Sequence, residues 1–322
     1  MSRPINGSDL RGVTVATLLP YRDDLSIDWD DYARVLDYCV VPDGVTAALV
    51  NGHAGEGGLL TQGERRQVIE RTRAHIGSKP LLAGIIATST AEAVAEARLA
   101  QEAGADCAVL FPPGPLGGGA SVTARAPAAY VGAVLEAIDI PVSLFQYPVT
   151  SGFGYSTQTL CELATIDGVI AIKEGSDTML AYDDNWRAIK QHSPDVAVLA
   201  SNYNWMLPQM AVGADGILSG LGSLAPHLFV ELWAATVAED LKAMRAVNDR
   251  LTPIVRAIYG PSPLIDMHTR MKAGLAALGV IHNAAPRPPM MLALPDIATN
   301  IAKVLAAAGR AGDVRGFPGA AR

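Results

Sequence analysis

Eight short apolar runs recur through the first two thirds of this chain, and the segments between them carry helical periodicity, an alternation that few folds satisfy. The runs are VTVATLL (13–19), VTAALVNG (45–52), PLLAGIIA (80–87), ADCAVLFP (105–112), IPVSLFQYP (140–148), GVIAIKEG (168–175), VAVLASN (196–202) and GADGILSG (213–220). They are hydrophobic almost throughout rather than alternating, so both faces of each strand should be covered, as in a parallel sheet wrapped by helices. Helices are expected over 29–40, 62–76, 90–103, 127–138 and 156–164. Pro127 suits a first helical turn, where a missing N–H loses no partner. Within 90–103, Ala93, Ala97 and Ala100 share a face with Val94 beside them, while Glu92 and Glu96 point elsewhere, so a small apolar face is available to a sheet. Eight strands in series, most followed by a helix, make an α/β fold of the closed (β/α)8 TIM-barrel kind more economical than a doubly wound open sheet.

The barrel is expected to occupy residues 1–224. A C-terminal helical extension, 225–308, is read as packed on the barrel in the same structural unit, because no long Ser/Gly/Pro linker follows Leu224. The Gly-rich segment 309–322 reads as an exposed tail. With 322 residues, 50% hydrophobic and 18% charged, the chain has ample material for a large core. A net charge of −7 and no Lys/Arg run disfavour nucleic acid as a partner. The start, MSRPINGSDLRG, has no apolar signal-like region, and no later stretch of about 18 residues is apolar enough to span a bilayer, so no membrane association is expected. Cys39, Cys107 and Cys161 are odd in number and widely spaced, which fits a reducing cytoplasm. The six histidines show no paired ligand spacing, so no metal site is expected, and no glycine fingerprint for a nucleotide sits at a strand-to-helix turn.

In a barrel, chemistry sits at the carboxyl ends of the strands. Lys173 ends the run GVIAI, so an apolar strand would carry its amine into the mouth, where desolvation lowers the pKa and frees a nucleophile for a ketone. A strand-end lysine that snorkels to solvent or pairs with Glu174 is the structural alternative. Side-chain alternation turns Glu174 away from the mouth. After the second run comes Asn51-Gly52-His53-Ala54-Gly55-Glu56-Gly57-Gly58, whose glycines allow successive N–H groups to form a nest for a carboxylate; a plain flexible loop is the alternative. His53 is a candidate acid/base group there, or simply a loop histidine.

Together these pieces resemble the dihydrodipicolinate synthase and N-acetylneuraminate lyase family of class I aldolases, lyases and dehydratases. Leu18-Leu-Pro-Tyr with Ser26-Ile-Asp-Trp is similar to that family's first strand and loop, and NGHAGEGGLLTQGER to its carboxylate-binding loop and next helix. IAIKEGSDT resembles the Schiff-base strand, GADGILSGLGSLAP the eighth strand and turn, and MKAGLAALGVIHNAAPRPPM the C-terminal helical region. The resemblance implies that Lys173 forms an imine with pyruvate or another small-molecule 2-oxo acid, with backbone groups of Gly52, His53, Ala54 and Gly55 at its carboxylate. It implies no cofactor beyond that covalent imine, and a homo-oligomer, tetramer or dimer.

The departures shape the expected reaction. Two hydroxyl residues of the synthases' glycine loop are His53-Ala54 here, and the tyrosine ending the fifth strand aligns with Phe145 in FQYPVTSG. Tyr147, two residues on and on the same strand face, is the replacement candidate for proton transfer, or an aromatic packed under the loop. The arginine that holds a second carboxylate in the lysine-pathway synthase aligns with Thr150. These differences point away from true dihydrodipicolinate synthase activity and toward C–C bond cleavage or formation by a lyase or aldolase using Lys173, Tyr147 and His53. The Pro/Gly-rich loop 111–120, Ser201, Asn202 and Ser219 are further candidates for substrate contact. Alternatives are a 2-oxo-3-deoxy sugar acid dehydratase using the same imine, a non-catalytic 2-oxo acid binding protein, and a phosphate-binding barrel isomerase built on Gly220-Leu-Gly-Ser.

Overall fold

The computed structural model describes residues 5–118 and 123–310. Eight parallel strands close into a barrel in chain order: β1 (Gly12–Ala16), β2 (Val45–Val50), β3 (Leu81–Ile85), β4 (Cys107–Leu110), β5 (Val142–Phe145), β6 (Val169–Glu174), β7 (Ala197–Ala200) and β8 (Gly216–Ser219). Closure comes from β8 pairing with β1, where Val13 lies opposite Ile217 and Thr14 opposite Leu218. The helices that follow the strands are α1 (Trp29–Cys39), α2 (Gln62–Ile76), α3 (Thr90–Glu102), α4 (Arg125–Leu135), α5 (Thr157–Ala164), α6 (Met179–His192), α7 (Met206–Val212) and α8 (Pro226–Val237). The expected closed (β/α)8 barrel is therefore what the chain forms, not an open sheet.

Each strand is shorter than the apolar run that announced it. The run 13–19 continues beyond β1 because Leu18 and Leu19 are buried outside the strand, so apolarity there reports burial and not pairing. Strand residues such as Val15, Leu82, Val109 and Val198 are fully covered, each stabilising the fold by about 1.5–3 kcal/mol relative to exposure. Helix starts are fixed locally. Asp28 caps α1 through the amides of Asp30 and Asp31, and Thr61 with Glu64 forms a reciprocal capping box on α2. The polar side of α3 is only partly solvated: Glu96 is buried against α2, its carboxylate 3.1 Å from Arg65 Nε.

Beyond α8 the chain adds α9 (Leu241–Tyr259), α10 (Met267–Ala277) and α11 (Pro295–Arg310). α8 packs on β1 and α9, α11 packs on both α9 and α10, and Leu251, Leu275 and Ile301 join the same apolar cluster as the strands. The turn after α10 is stitched to the start of the chain. The His282 amide donates to Asp31 Oδ2 (2.6 Å), Asn283 Nδ2 donates to Asp23 Oδ1 (2.9 Å), and Arg34 Nε donates to Val280 O (3.1 Å). Residues 311–322, most of the expected tail, lie outside the described residues, as do positions 119 and 120 of the fourth loop. Among the described residues no helix is long and apolar enough to cross a membrane.

Candidate active site

Lys173 sits one residue from the end of β6, opposite Phe145 of β5 and Leu199 of β7. Protein atoms crowd its amine, yet the residue keeps some accessible surface at the mouth. That burial lowers its pKa to about 8, against the opposing pull of Glu174. Nζ lies 3.9 Å from the centroid of the Phe145 ring. The next residue must be small: a Cβ on Gly175 would stand 3.2 Å from Lys173 Nζ and 2.6 Å from the Gln146 carbonyl. Glu174 turns outward, as strand alternation requires, and is fully buried. It accepts from the Ser176 amide (3.1 Å) and hydroxyl and from Asn185 Nδ2 (2.9 Å) on α6, while burial raises its pKa.

The glycine loop after β2 is bent by two residues in the left-handed region, Asn51 (φ +55°) and Glu56 (φ +53°). Its ends are tied by Gly57 N donating to Gly52 O (3.0 Å) and Glu56 N to His53 O (3.0 Å). Gly57 is required because a Cβ there would run into the Asn51 carbonyl. Between these ties, the amides of Gly52, His53, Ala54 and Gly55 make no hydrogen bond to any described residue. Successive free amides in a tight bend suit a carboxylate.

His53 and Tyr147, named separately from the sequence, meet here: Nε2 and the phenolic oxygen are 2.5 Å apart. The His53 ring stands edge-on to Phe111 (4.8 Å between centroids) and Phe145 (5.5 Å). Although its outer edge is exposed, crowding by these rings, and then the Lys173 charge, lowers its pKa to about 4 and keeps it neutral at pH 7. Burial pushes the Tyr147 phenol up, so it holds its proton.

Other candidates are engaged with backbone. The Ser201 hydroxyl donates to Glu174 O (2.7 Å), Asn202 Nδ2 donates to Ser176 O (2.7 Å), and Ser219 Oγ accepts from Leu221 N (3.2 Å) in the turn after β8. Thr150 is exposed, its hydroxyl donating to Asp177 Oδ2 (2.8 Å).

The structure adds groups that sequence reasoning did not single out. His268 and Lys272, four residues apart on α10, lie on one helix face. A Cβ on Gly220 would lie 3.8 Å from His268 Nε2 and 3.4 Å from the Ala54 Cβ, so this histidine and the glycine loop flank the same turn after β8. Burial and the neighbouring His53, Lys272 and Lys173 lower its pKa to about 3. Lys272 is fully buried and ion-paired with Glu56, whose other oxygen accepts from the Arg287 amide (3.0 Å). The Arg287 guanidinium in turn grips Glu64 at the start of α2 (2.9 and 2.5 Å) and the Leu25 carbonyl. The i, i+4 spacing in HTRMK could have placed His268 and Lys272 together, but nothing local names Glu56 as the partner.

A sequence model of the dihydrodipicolinate synthetase family matches residues 9–308. The 4-hydroxy-tetrahydrodipicolinate synthase of Neisseria gonorrhoeae is 31% identical over 258 residues, 79% of this chain and 85% of the relative. That of Salinibacter ruber is 31% identical over 288 residues, 87% of this chain and 90% of the relative. Among solved structures, the dihydrodipicolinate synthase of Thermotoga maritima superposes with a TM-score of 0.85 at 24% identity, covering 93% of this chain and 99% of that one. YagE, a prophage protein of the same family from E. coli K12 in complex with pyruvate, gives 0.84 at 21% identity over 92% and 98%.

Removing one partner from a buried ion pair leaves an uncompensated charge, at a cost of roughly 3–5 kcal/mol. Lys272→Met is expected to lower unfolding stability by about 3 kcal/mol or more in denaturant titrations, and adding Glu56→Gln should recover much of that loss. A Lys272→Met protein as stable as the parent would show that the pair does not hold the loop.

On the profile match across nearly its whole length and these relatives, the chain belongs to the dihydrodipicolinate synthetase family of lysine Schiff-base lyases.

Proposed function

We propose that this lyase forms an imine between Lys173 and pyruvate or another 2-oxo acid, and makes or breaks a C–C bond at the adjacent carbon. The observation that carries the reading is the crowded amine of partly exposed Lys173 near the end of β6, with a pKa lowered to about 8. At pH 7 about one such amine in ten is unprotonated, against fewer than about one in a thousand for an ordinary lysine. The free amides of Gly52–Gly55 provide the place for the carboxylate, on the loop whose His53 packs against the same Phe145 ring as the amine. Pyruvate bound to the related YagE protein is consistent with this substrate class.

The amine attacks the keto carbon, and the carbinolamine must lose its hydroxyl as water. Tyr147 is the proton source within the mouth, and its hydrogen bond to the neutral His53 lets a proton move along the O···N axis in either direction. This pair takes over the task of the loop hydroxyls that His53-Ala54 replace. Once the iminium has formed, its positive nitrogen draws electrons from the neighbouring C–C or C–H bond, so the step needs no further cofactor. Glu174 cannot serve as the base, because its oxygens are committed to Ser176 and Asn185 on the outer side of the strand. The same reading includes the expectations of a cytoplasmic homo-oligomer.

Deuterium exchange at the methyl group of pyruvate reports iminium and enamine formation directly. The exchange rate should climb about tenfold per pH unit on the acid side and level off near pH 8, because a lysine with a lowered pKa supplies free amine from that point upward. A profile still climbing through pH 10 would show an ordinary, solvated lysine. Tyr147→Phe should slow exchange by on the order of a hundredfold or more, and His53→Ala by about tenfold, with Lys173→Ala at the uncatalysed rate. Unchanged exchange in Tyr147→Phe would remove the phenol from the mechanism.

A further inference from the structure

The amine opens onto a wall of aromatic rings that continues to the rim. From Phe145, 3.9 Å from Lys173 Nζ, the wall passes to Phe111, stacked at 4.2 Å and 25°, and to Tyr147 at 4.7 Å. Tyr147 then meets Phe153 at 6.1 Å. Exposure rises from 8% at Phe145 through part-buried Tyr147 to 36% at Phe153, so this arm of the wall leads outward from the reacting nitrogen toward solvent. Phe153 is held in place against Gly117 of the fourth loop, where a Cβ would be only 3.1 Å from the ring.

Charge at the rim has the opposite sign from what an anionic partner needs. Three residues beyond Tyr147, Thr150 gives its hydroxyl to the exposed carboxylate of Asp177. The Asp177 carbonyl also accepts from the indole of half-exposed Trp205 (3.3 Å), which adds another aromatic surface beside the acid. Burial alone shifts the Tyr147 phenol, with no charged neighbour contributing, and His53 is neutral. A carboxylate brought along this path would meet Asp177 and ring faces, whose quadrupoles are negative.

We propose that the second substrate of the lyase, the aldehyde that adds to the enamine or departs from it in reverse, is an uncharged aromatic aldehyde lying against the Phe145–Tyr147–Phe153 wall. This rests on the imine reading above. In the forward direction the enamine carbon bonds to the aldehyde carbon, and the carbonyl π electrons pass to oxygen, which takes one proton. The re-formed iminium is then hydrolysed by one water, which frees the amine and a 4-aryl-4-hydroxy-2-oxo acid.

The test uses the full-length enzyme with pyruvate and three probe aldehydes: benzaldehyde, 4-carboxybenzaldehyde and succinic semialdehyde. Product formation should give kcat/KM for benzaldehyde at least about tenfold above either carboxylated probe. Phe153→Ala should raise KM for benzaldehyde several-fold more than for succinic semialdehyde, and Thr150→Arg should shift preference toward the carboxylated probes. Pyruvate-methyl exchange, run alongside, separates two kinds of failure. Exchange with a preference for the carboxylated aldehydes, or with turnover of none of the three, overturns this proposal while leaving the imine chemistry intact. Loss of exchange itself overturns the imine reading.

Discussion

An amine that attacks ketones at neutral pH must be crowded enough by protein to shed its proton and open enough to be reached. The end of β6 meets both demands with few parts. Phe145 covers one side of Lys173, Gly175 leaves room where a Cβ would clash with the Gln146 carbonyl and crowd Nζ, and the lysine keeps some accessible surface. The adjacent carboxylate, which could have neutralised the arrangement by pairing, is turned through the wall of the barrel and occupied by Ser176 and Asn185. Strand alternation thus separates a Lys-Glu sequence pair into one group for chemistry and one for packing.

The second demand is a rigid partner surface for the substrate's carboxylate, and here the C-terminal helices matter. The glycine loop owes its shape to left-handed backbone at Asn51 and Glu56, which is strained for residues with a side chain. The buried Glu56–Lys272 pair and the Arg287 contacts to Glu56 and Glu64 hold that bend from outside the barrel. The extension is therefore coupled to the active site through charge. Loss of the pair is expected to loosen the very amides proposed to bind the substrate.

Much of this was legible in the sequence. The eight apolar runs marked the strands, the lone lysine ending GVIAI marked the amine, and the glycines after Asn51 marked the loop, because each of these is a local pattern. What escaped was long-range or depended on a neighbour. Glu56 and Lys272 are 216 residues apart, and their pairing follows from how α10 docks. Glu96 was read only as pointing away from the small apolar face of α3, and the ion pair with Arg65 on the adjacent helix accompanies its burial. Tyr147 and His53 were each ambiguous alone, and only closure of the barrel brings the loops after β2 and β5 within hydrogen-bonding distance. Strand ends were overextended because residues just past a strand, such as Leu18 and Leu19, are as buried as those in the sheet.

Reductive trapping tests the central claim most directly. Incubation with pyruvate and borohydride, followed by peptide mass mapping, should place one reduced pyruvate on the peptide bearing Lys173, and Lys173→Ala should take up none. An unmodified Lys173 peptide, or an adduct confined to another lysine, would contradict the assignment of this amine as the covalent centre.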